Sequence, residues 1–511
     1  MSSDEDELDL NEASTPQLNT QPEDDGMDTE DATSVRNSPA PAPRSSEPPQ
    51  RLIDYTLNRN FATCKTYDCV PLVAAIHPAP IYSVAATRCF RWVFTGSDDG
   101  YVRKWDFFSS MNGKTALTQA QRHQHVDSVT MAGVLSSWFE NEEQPVVVKS
   151  EPTVTNEQAS SSTTTTTTTT TTPAAATDNS NPIIANSSVN STIVASTAAP
   201  SSSSTTTNLN HPQQPPKLSP VYSMDVHSEG LWALLGTESG NINLVTVRHD
   251  EGKCHHVLRS HTAPVSVLRV TPGETGVISG SWDKSVLEWD LNTGSVVRTY
   301  AGHSSQISSA SFQPVFDPSK DEDQEWDQKN PNIFMTTSFD GQCFIWDRRE
   351  PEKDATKLGL SDRTPPWCLS ACWSADGSKI YMGRRNGQVD EWDFASQKLI
   401  RSFRMPANSG PVSYVASMPN NKHIICASND NVRLWNTEIE SIFTLYPEAD
   451  KTPKPSSYVI PFTILPGHHG GTISHIDIDP TCRYMITTSG NRGWDGISTN
   501  ACLFYDITPI V

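Results

Sequence analysis

In SGSWDKSVLEWDLNTG, running from Ser279 to Gly294, two acids, Asp283 and Asp290, stand on either side of Trp289, with Ser279 and Ser281 just upstream. Hydroxyls beside paired carboxylates are groups that nucleophilic and general acid–base catalysis employ. They are equally the groups a scaffold buries in mutually satisfying hydrogen bonds. Catalysis requires a nucleophile and a base converging in one cleft. Here the pattern recurs instead, as FTGSDDGYVRKWD (94–106), ISGSWDKSVLEWD (278–290), TTSFDGQCFIWD (336–347), MGRRNGQVDEWD (382–393) and CASNDNVRLWN (426–436). A constellation repeated along the chain reads as architecture. No His/Glu or Cys/His spacing of a metal site is present, nor a Walker-type or dinucleotide glycine-rich loop. The expectation is no catalytic, metal-ligating or cofactor-binding residue and no small-molecule substrate.

The elements that would hold such repeats are short strands. Two degenerate units, LGTESGNINLVTV (235–247) and TTSGNRGWDGISTNACLFYD (487–506), extend the series. The Trp-equivalent positions are then Trp105, Val245, Trp289, Trp346, Trp392, Trp435 and Tyr505, with gaps of 140, 44, 57, 46, 43 and 70. The short gaps fit the roughly 40–45-residue period of a four-stranded propeller blade. The long ones locate insertions: a Thr-rich stretch, an acidic DPSKDEDQEW loop (317–326) and a Pro-rich YPEADKTPKPSS loop (446–457). Within one unit, PVSVLRV, GVISGS and SVLEWDL alternate as strands, PGET and WDKS turn the chain, and SVVRTYAGH (295–303) follows as a fourth strand. The fold class predicted is all-β, a seven-bladed propeller.

The last unit ends at CLFYDITPIV with no outer strand after it. VPLVAAIHP (70–78), before the first unit, resembles the outer strand VVRTYAGH and is expected to complete the last blade and hide its edge. Residues 107–150 leave two readings. KTALTQAQRH is the outer strand of blade one, or PVVVKS (145–150) is that strand and 126–139 forms an extra helix, with Val126, Val129, Leu135, Trp138 and Phe139 near helical spacing. The second is preferred. The acidic loop 317–326 joins the first two strands of blade four and should project from the bottom face, as a solvated loop or a dock for a basic partner.

Charge is uneven. Residues 1–31 hold twelve acids and no Lys or Arg, contributing -12 of the net -21. Such a block reads as a disordered interaction tail and disfavours direct, specific nucleic-acid binding, because phosphates are repelled. The organisation expected is an acidic disordered tail (1–50), a closing strand, first blade and extra helix (51–150), a Thr/Ser-rich disordered insertion (151–217) and the remaining six blades (218–511). The ten cysteines show no CxxC pair, the N-terminus is not signal-like, and no apolar run reaches membrane-spanning length. Reduced thiols in an intracellular protein with no membrane partner are the expectation.

The units resemble those of WD-repeat propellers, whose blades end in Trp-Asp and start after Gly-His; AGH (301–303), RSH (259–261) and PGHH (466–469) fit the start. The resemblance implies a buried hydrogen-bonded set of His261, Ser279, Asp283 and Trp289. Asp99 and Asp340 precede Trp105 and Trp346 by six residues, as Asp283 precedes Trp289. Trp392 and Trp435 hold the same place in their blades, while Ser239 and Asn386 replace the acid in blades two and five, so those networks are weaker or absent. The residue before the turn acid tends to face the ring top in this family. Here it is Trp282, Phe339 and Arg385, types enriched at interface hot spots, read either as partner contacts or as caps on their blades.

The stretches between the signatures narrow the resemblance. RCFRWVFTGSDDGYVRKWDFFSSMNGKTALTQAQRHQHVDSVTMAG, ESGNINLVTVRHDEGKCHHVLRSHT, GSWDKSVLEWDLNTG and SGNRGWDGISTNACLFYDI look like the WD-repeat subunits of the fungal SAGA transcriptional coactivator complex, the SPT-group factors that contact the TATA-binding protein. This resemblance covers about 51–150 and 218–511. It implies a nuclear, non-enzymatic subunit that binds the TATA-binding protein and other SAGA subunits and regulates TATA-binding-protein recruitment in RNA polymerase II transcription. The alternative is a generic WD-repeat adaptor that reads histone tails or degrons.

Overall fold

Seven small sheets of four or five strands carry the fold. They belong to a computed structural model that describes residues 57–144, 217–314, 332–350, 355–358, 366–429, 431–438, 457–458, 460–468, 470–490 and 498–511. The acidic tail, PVVVKS, the Thr-rich insertion, the acidic loop and nearly all of the Pro-rich loop lie outside these residues. Among the described residues no helix is long and apolar enough to cross a membrane.

Blade three shows why the sequence folds this way. Its strands are Val265–Val270, Gly276–Ser281, Val286–Asp290 and Ser295–Tyr300, hydrogen-bonded in that order from the inside outward. The second strand is buried at every position, because blades cover both its faces, while the outermost is mostly exposed. The innermost strands of successive blades contact one another around the ring, blade seven against blade one. The apolar core is accordingly divided into seven clusters, one at each blade–blade seam. A glycine on the second strand admits the next blade. A Cβ on Gly96 would lie 2.5 Å from Val221, and one on Gly280 would lie 2.6 Å from Ile307.

The ring closes between the two ends of the chain. Thr66–Ile76 pairs antiparallel with Ala501–Ile510, from Thr66 opposite Ile510 to Ile76 opposite Ala501, as the fourth strand of blade seven. Met131–Ala132 then lies parallel against the far side of this closing strand.

Residues 107–150 differ from both expectations. KTALTQAQRH is not a strand; it contains the short helix Gln119–Arg122, held by a Thr118–Gln121 capping box. The expected helix over 126–139 is absent, and Val134–Glu140 is instead the outer strand of blade one, paired with Tyr101–Asp106. The physical reason is that Leu135 and Trp138 face solvent on the rim, 44% and 58% exposed, so their spacing does not mark a buried helical face.

Candidate functional site

The residues singled out by spacing fall into buried networks inside the blades and positions on the ring top. In blade three, Trp289 Nε1 donates to Ser279 Oγ at 2.8 Å, and Ser279 Oγ lies 2.7 Å from His261 Nε2. His261 Nδ1 is 3.0 Å from Asp283 Oδ2. A carboxylate only accepts, so Nδ1 carries the proton and Nε2 takes that of the serine. Burial pushes Asp283 up, but hydrogen bonds from His261, Ser285 and Thr262 outweigh it and hold the carboxyl far below its usual range. Ser–His–Asp in this order has the connectivity of a nucleophilic relay. Ser279 is nevertheless 0% exposed and its oxygen is occupied by the indole, so a substrate has no approach to it. Asp290, the other acid of the stretch, accepts from Asn292 and Thr293 and fixes the next turn.

Other blades repeat the network with changes. In blade four, Thr336 joins His303 and Trp346, each at 2.7 Å, and Asp340 is reached through Ser338. In blade one, Thr95 joins Trp105 and His77, but Asp99 is drawn instead into an ion pair with Arg103 at 2.6 Å. Burial pulls His77 down to about 3 and His303 to about 4, keeping both rings neutral at physiological pH. Blades five and six depart further. Arg384 donates to Asp390 at 2.8 Å and to the Gly341 carbonyl at 2.7 Å, and Arg433 donates to Ser428 and Ser409. Trp392 Nε1 and Trp435 Nε1 have no hydrogen-bond partner among the described residues. His77, Thr95, Arg384 and Arg433 were not read from the sequence; the AIHP around His77 lacks the Gly that marks other blade starts.

The ring top is set by one recurring bond. Trp282 N–H donates to the Pro264 carbonyl, Phe339 N–H to Gln306 and Arg385 N–H to Trp367, at 3.0, 3.0 and 2.9 Å. Each bond ties a turn residue to the residue before its blade's innermost strand, and so fixes the side chain at the channel rim. Trp282 packs on Tyr222 at 5.3 Å, and Tyr222 stacks on Tyr82 at 5.5 Å. Phe339 lies 6.1 Å from Trp367, over whose ring the Arg385 guanidinium sits at 4.3 Å. The three turn residues are not equally available. Phe339 is buried, Trp282 is partly covered and Arg385 is exposed. Trp367 is 47% exposed and joins them. Its only sequence signal was a large aromatic where other blades place Pro, Gln or Thr.

Below the rim the channel is lined by serines, Ser83, Ser223, Ser266, Ser309 and Ser370 among them. Arg269, which lines the same channel, attracts the carboxylates of both Asp225 and Asp477. Burial pushes both carboxyls up, Asp477 to about 6, while the guanidinium pulls them back. Among the described residues, this arrangement offers a surface that can hold and contact a partner.

The chain matches the SPT8 β-propeller family over residues 67–170, 179–330 and 319–508. It is 33% identical to SAGA complex subunit SPT8 of Saccharomyces cerevisiae over 499 residues, covering 86% of this chain and 73% of that protein. The chain belongs to the SPT8 β-propeller family. SAGA complex subunit Spt8 of Schizosaccharomyces pombe is 34% identical over 515 residues, 88% of this chain and 81% of that protein. A guanine nucleotide-binding protein subunit beta of Zea mays is 26% identical over only 190 residues, 34% of this chain and 44% of that protein. The SPT8-family likeness thus spans the whole ring, rim residues included.

Proposed function

We propose that the chain is a non-enzymatic subunit of a nuclear SAGA coactivator complex, where it binds the TATA-binding protein and regulates its recruitment to promoters. The observation that carries this reading is likeness along nearly the whole propeller to two proteins named as SAGA complex subunits. The rim supplies a contact surface of the right composition: Trp282 on Tyr222, and Arg385 over the exposed Trp367. The acidic residues 1–31 supply long-range attraction to a partner that is basic where it meets DNA. In this division the tail captures and the ring selects.

A tagged chain drawn from nuclear extract should bring down acetyltransferase-coactivator subunits and the TATA-binding protein. Recovery of ubiquitin-ligase or chromatin-reader components in their place would favour a degron or histone-tail adaptor and reject the proposal. With purified partner, combining Trp282→Ala, Trp367→Ala and Arg385→Ala should weaken binding at least about tenfold while the ring still unfolds cooperatively. Removing residues 1–50 should lower both the affinity and its salt slope; if neither changes, the tail has no part in capture.

A further inference from the structure

The turn position that carries Trp282, Phe339 and Arg385 is repeated round the ring top, and its occupants differ in charge. The main-chain bond that fixes those three recurs at Asp98, whose N–H donates to the Pro80 carbonyl at 3.0 Å. It recurs again at Gly490, whose N–H donates to the Thr472 carbonyl at 2.9 Å. In blade two the place belongs to Glu238, whose N–H donates to Ser219 Oγ at 2.7 Å. One backbone geometry therefore sets these side chains on the same face.

The charges divide across the mouth of the channel. Blades one and two present Asp98 and Glu238, both exposed. Both act on Tyr222: burial pushes its phenol up, and the two carboxylates push it further. Tyr222 packs on Tyr82 and Trp282, so this side joins aromatic surface to carboxylate, the surroundings a Lys or Arg side chain favours. Blade five presents Arg385, and exposed Lys284 adds a cation in blade three. Blades one and five are three seams apart on one side of the ring and four on the other, so Asp98 and Arg385 stand on opposing sides of the channel. Lys217 already pairs with Glu238 at 3.1 Å, which leaves the acidic side to Asp98. Among the described residues, neither the Asp98 carboxylate nor the Arg385 guanidinium has an ion pair or a hydrogen bond. The other acids of these turns are engaged, Asp99 by Arg103, Asp283 by His261 and Asp340 by Ser338. Packing over Trp367 holds the Arg385 guanidinium in place while its side chain stays exposed.

We propose that the rim takes up a segment of a partner protein with opposite charges at its two ends, a Lys or Arg side chain beside Asp98 and Tyr222 and an Asp or Glu side chain on Arg385. The partner then lies across the channel in one direction. A uniformly basic segment meets Arg385 as a like charge, and a uniformly acidic one meets Asp98, so each loses on one side what it gains on the other. Serine hydroxyls lining the channel below can donate to or accept from the main chain of the crossing segment. The inference rests on the reading of the rim as the contact surface and adds what that surface selects.

The test titrates the full-length chain with fluorescent peptides of about twelve residues, roughly 40 Å when extended. Lysines at one end and glutamates at the other flank serine and leucine, in both orders. Saturable binding is expected, and Asp98→Lys and Arg385→Glu should each weaken it at least about threefold. The double variant, which swaps the two charges, should regain the lost affinity, because the peptide can turn round. A uniformly charged mode of binding gives the opposite sign for one of the reversals. That pattern, no response to either reversal, further loss in the double variant, or no saturation overturns the proposal. So does binding that emerges only when residues 1–50 are deleted, which gives the rim to the chain's own acidic residues. Dimerisation in sedimentation that Arg385→Glu abolishes also overturns it, by giving the rim to a second copy. The TATA-binding protein takes no part in this titration, so its absence from the nuclear-extract experiment and a failure here are separate results.

Discussion

Ser279, His261 and Asp283 are joined as a hydrolase would join them, and burial gives them another use. Ser279 Oγ satisfies two rings at once, the Trp289 indole and the His261 imidazole. Removing it leaves both nitrogens without a partner where water cannot replace it. Ser279→Ala should therefore cost about 3 kcal/mol in urea unfolding. Trp392 holds the corresponding place in blade five, but its Nε1 has no partner among the described residues. Trp392→Phe deletes no hydrogen bond and should cost less than about 1.5 kcal/mol. If the Trp392 variant proves the costlier of the two, the account of the network fails. The Ser279 set was legible because its spacing to Trp289 and His261 survives intact. The Arg384–Asp390 pair was not: an arginine on the second strand reads as an exposed charge until the neighbouring blade supplies the Gly341 carbonyl that receives it. Asp99 shows the converse, matching Asp283 in spacing yet captured by Arg103 four residues on.

At the level of elements, inner strands could be read throughout and outer ones only in part: Ser295–Tyr300 and the closing strand were legible, Val134–Glu140 was not. Inner strands are covered on both faces, so their apolar runs are continuous and the turns between them stand out. Val134–Glu140 has its apolar Leu135 and Trp138 in solvent and Ser136 beside them, which erases the alternation that identifies a strand. The partner of the terminal strand was legible because the closing segment is apolar on both faces; its own parallel neighbour, two residues long, carried no signal. That neighbour depends on Gly133, where a Cβ would stand 2.7 Å from Ala75 Cβ and 3.0 Å from Ala75 Cα. Neither contact can be relieved by a rotamer change, since both atoms belong to the closing strand's fixed frame. Gly133→Val should lift Met131–Ala132 away and cost about 2 kcal/mol. Hydrogen exchange should quicken at Ala132 and Gly133, whose N–H groups donate to Thr115 and Ala74, while blade three keeps its protection. Unchanged exchange at both amides would show that the parallel strand does not depend on this close approach.

For the molecule as a whole, seven blades were countable even though Val245 stands where blade two should have Trp, because a ring needs every seam filled and blade-like spacing resumes after the insertion. The rim was only half legible, since the turn position is visible in each repeat but Trp367 lies before a strand, at a place the repeat does not mark. The ring also explains how it tolerates the long connection between blades one and two. Glu143 N–H donates to the Lys217 carbonyl and Ser219 N–H to Asn141, both at 2.9 Å, and Glu142 and Leu218 form an antiparallel bridge. Asn243 reaches from blade two to the Glu142 carbonyl at 2.9 Å and to Asn141 Oδ1 at 3.0 Å. The two ends of the connection are thus stapled side by side, as at the base of a hairpin. By the loop-closure relation, a tenfold shorter connection across a fixed gap lowers the closing cost by about 2 kcal/mol. Replacing residues 147–214 with a short Gly/Asn turn should therefore preserve cooperative unfolding and leave the melting temperature unchanged or raised. Asn243→Ala should lower the melting temperature in both the full-length and the shortened chain, because the staple serves either length. A shortened chain that melts earlier than the full one would show that the ring draws stability from the connection itself rather than from the staple at its base.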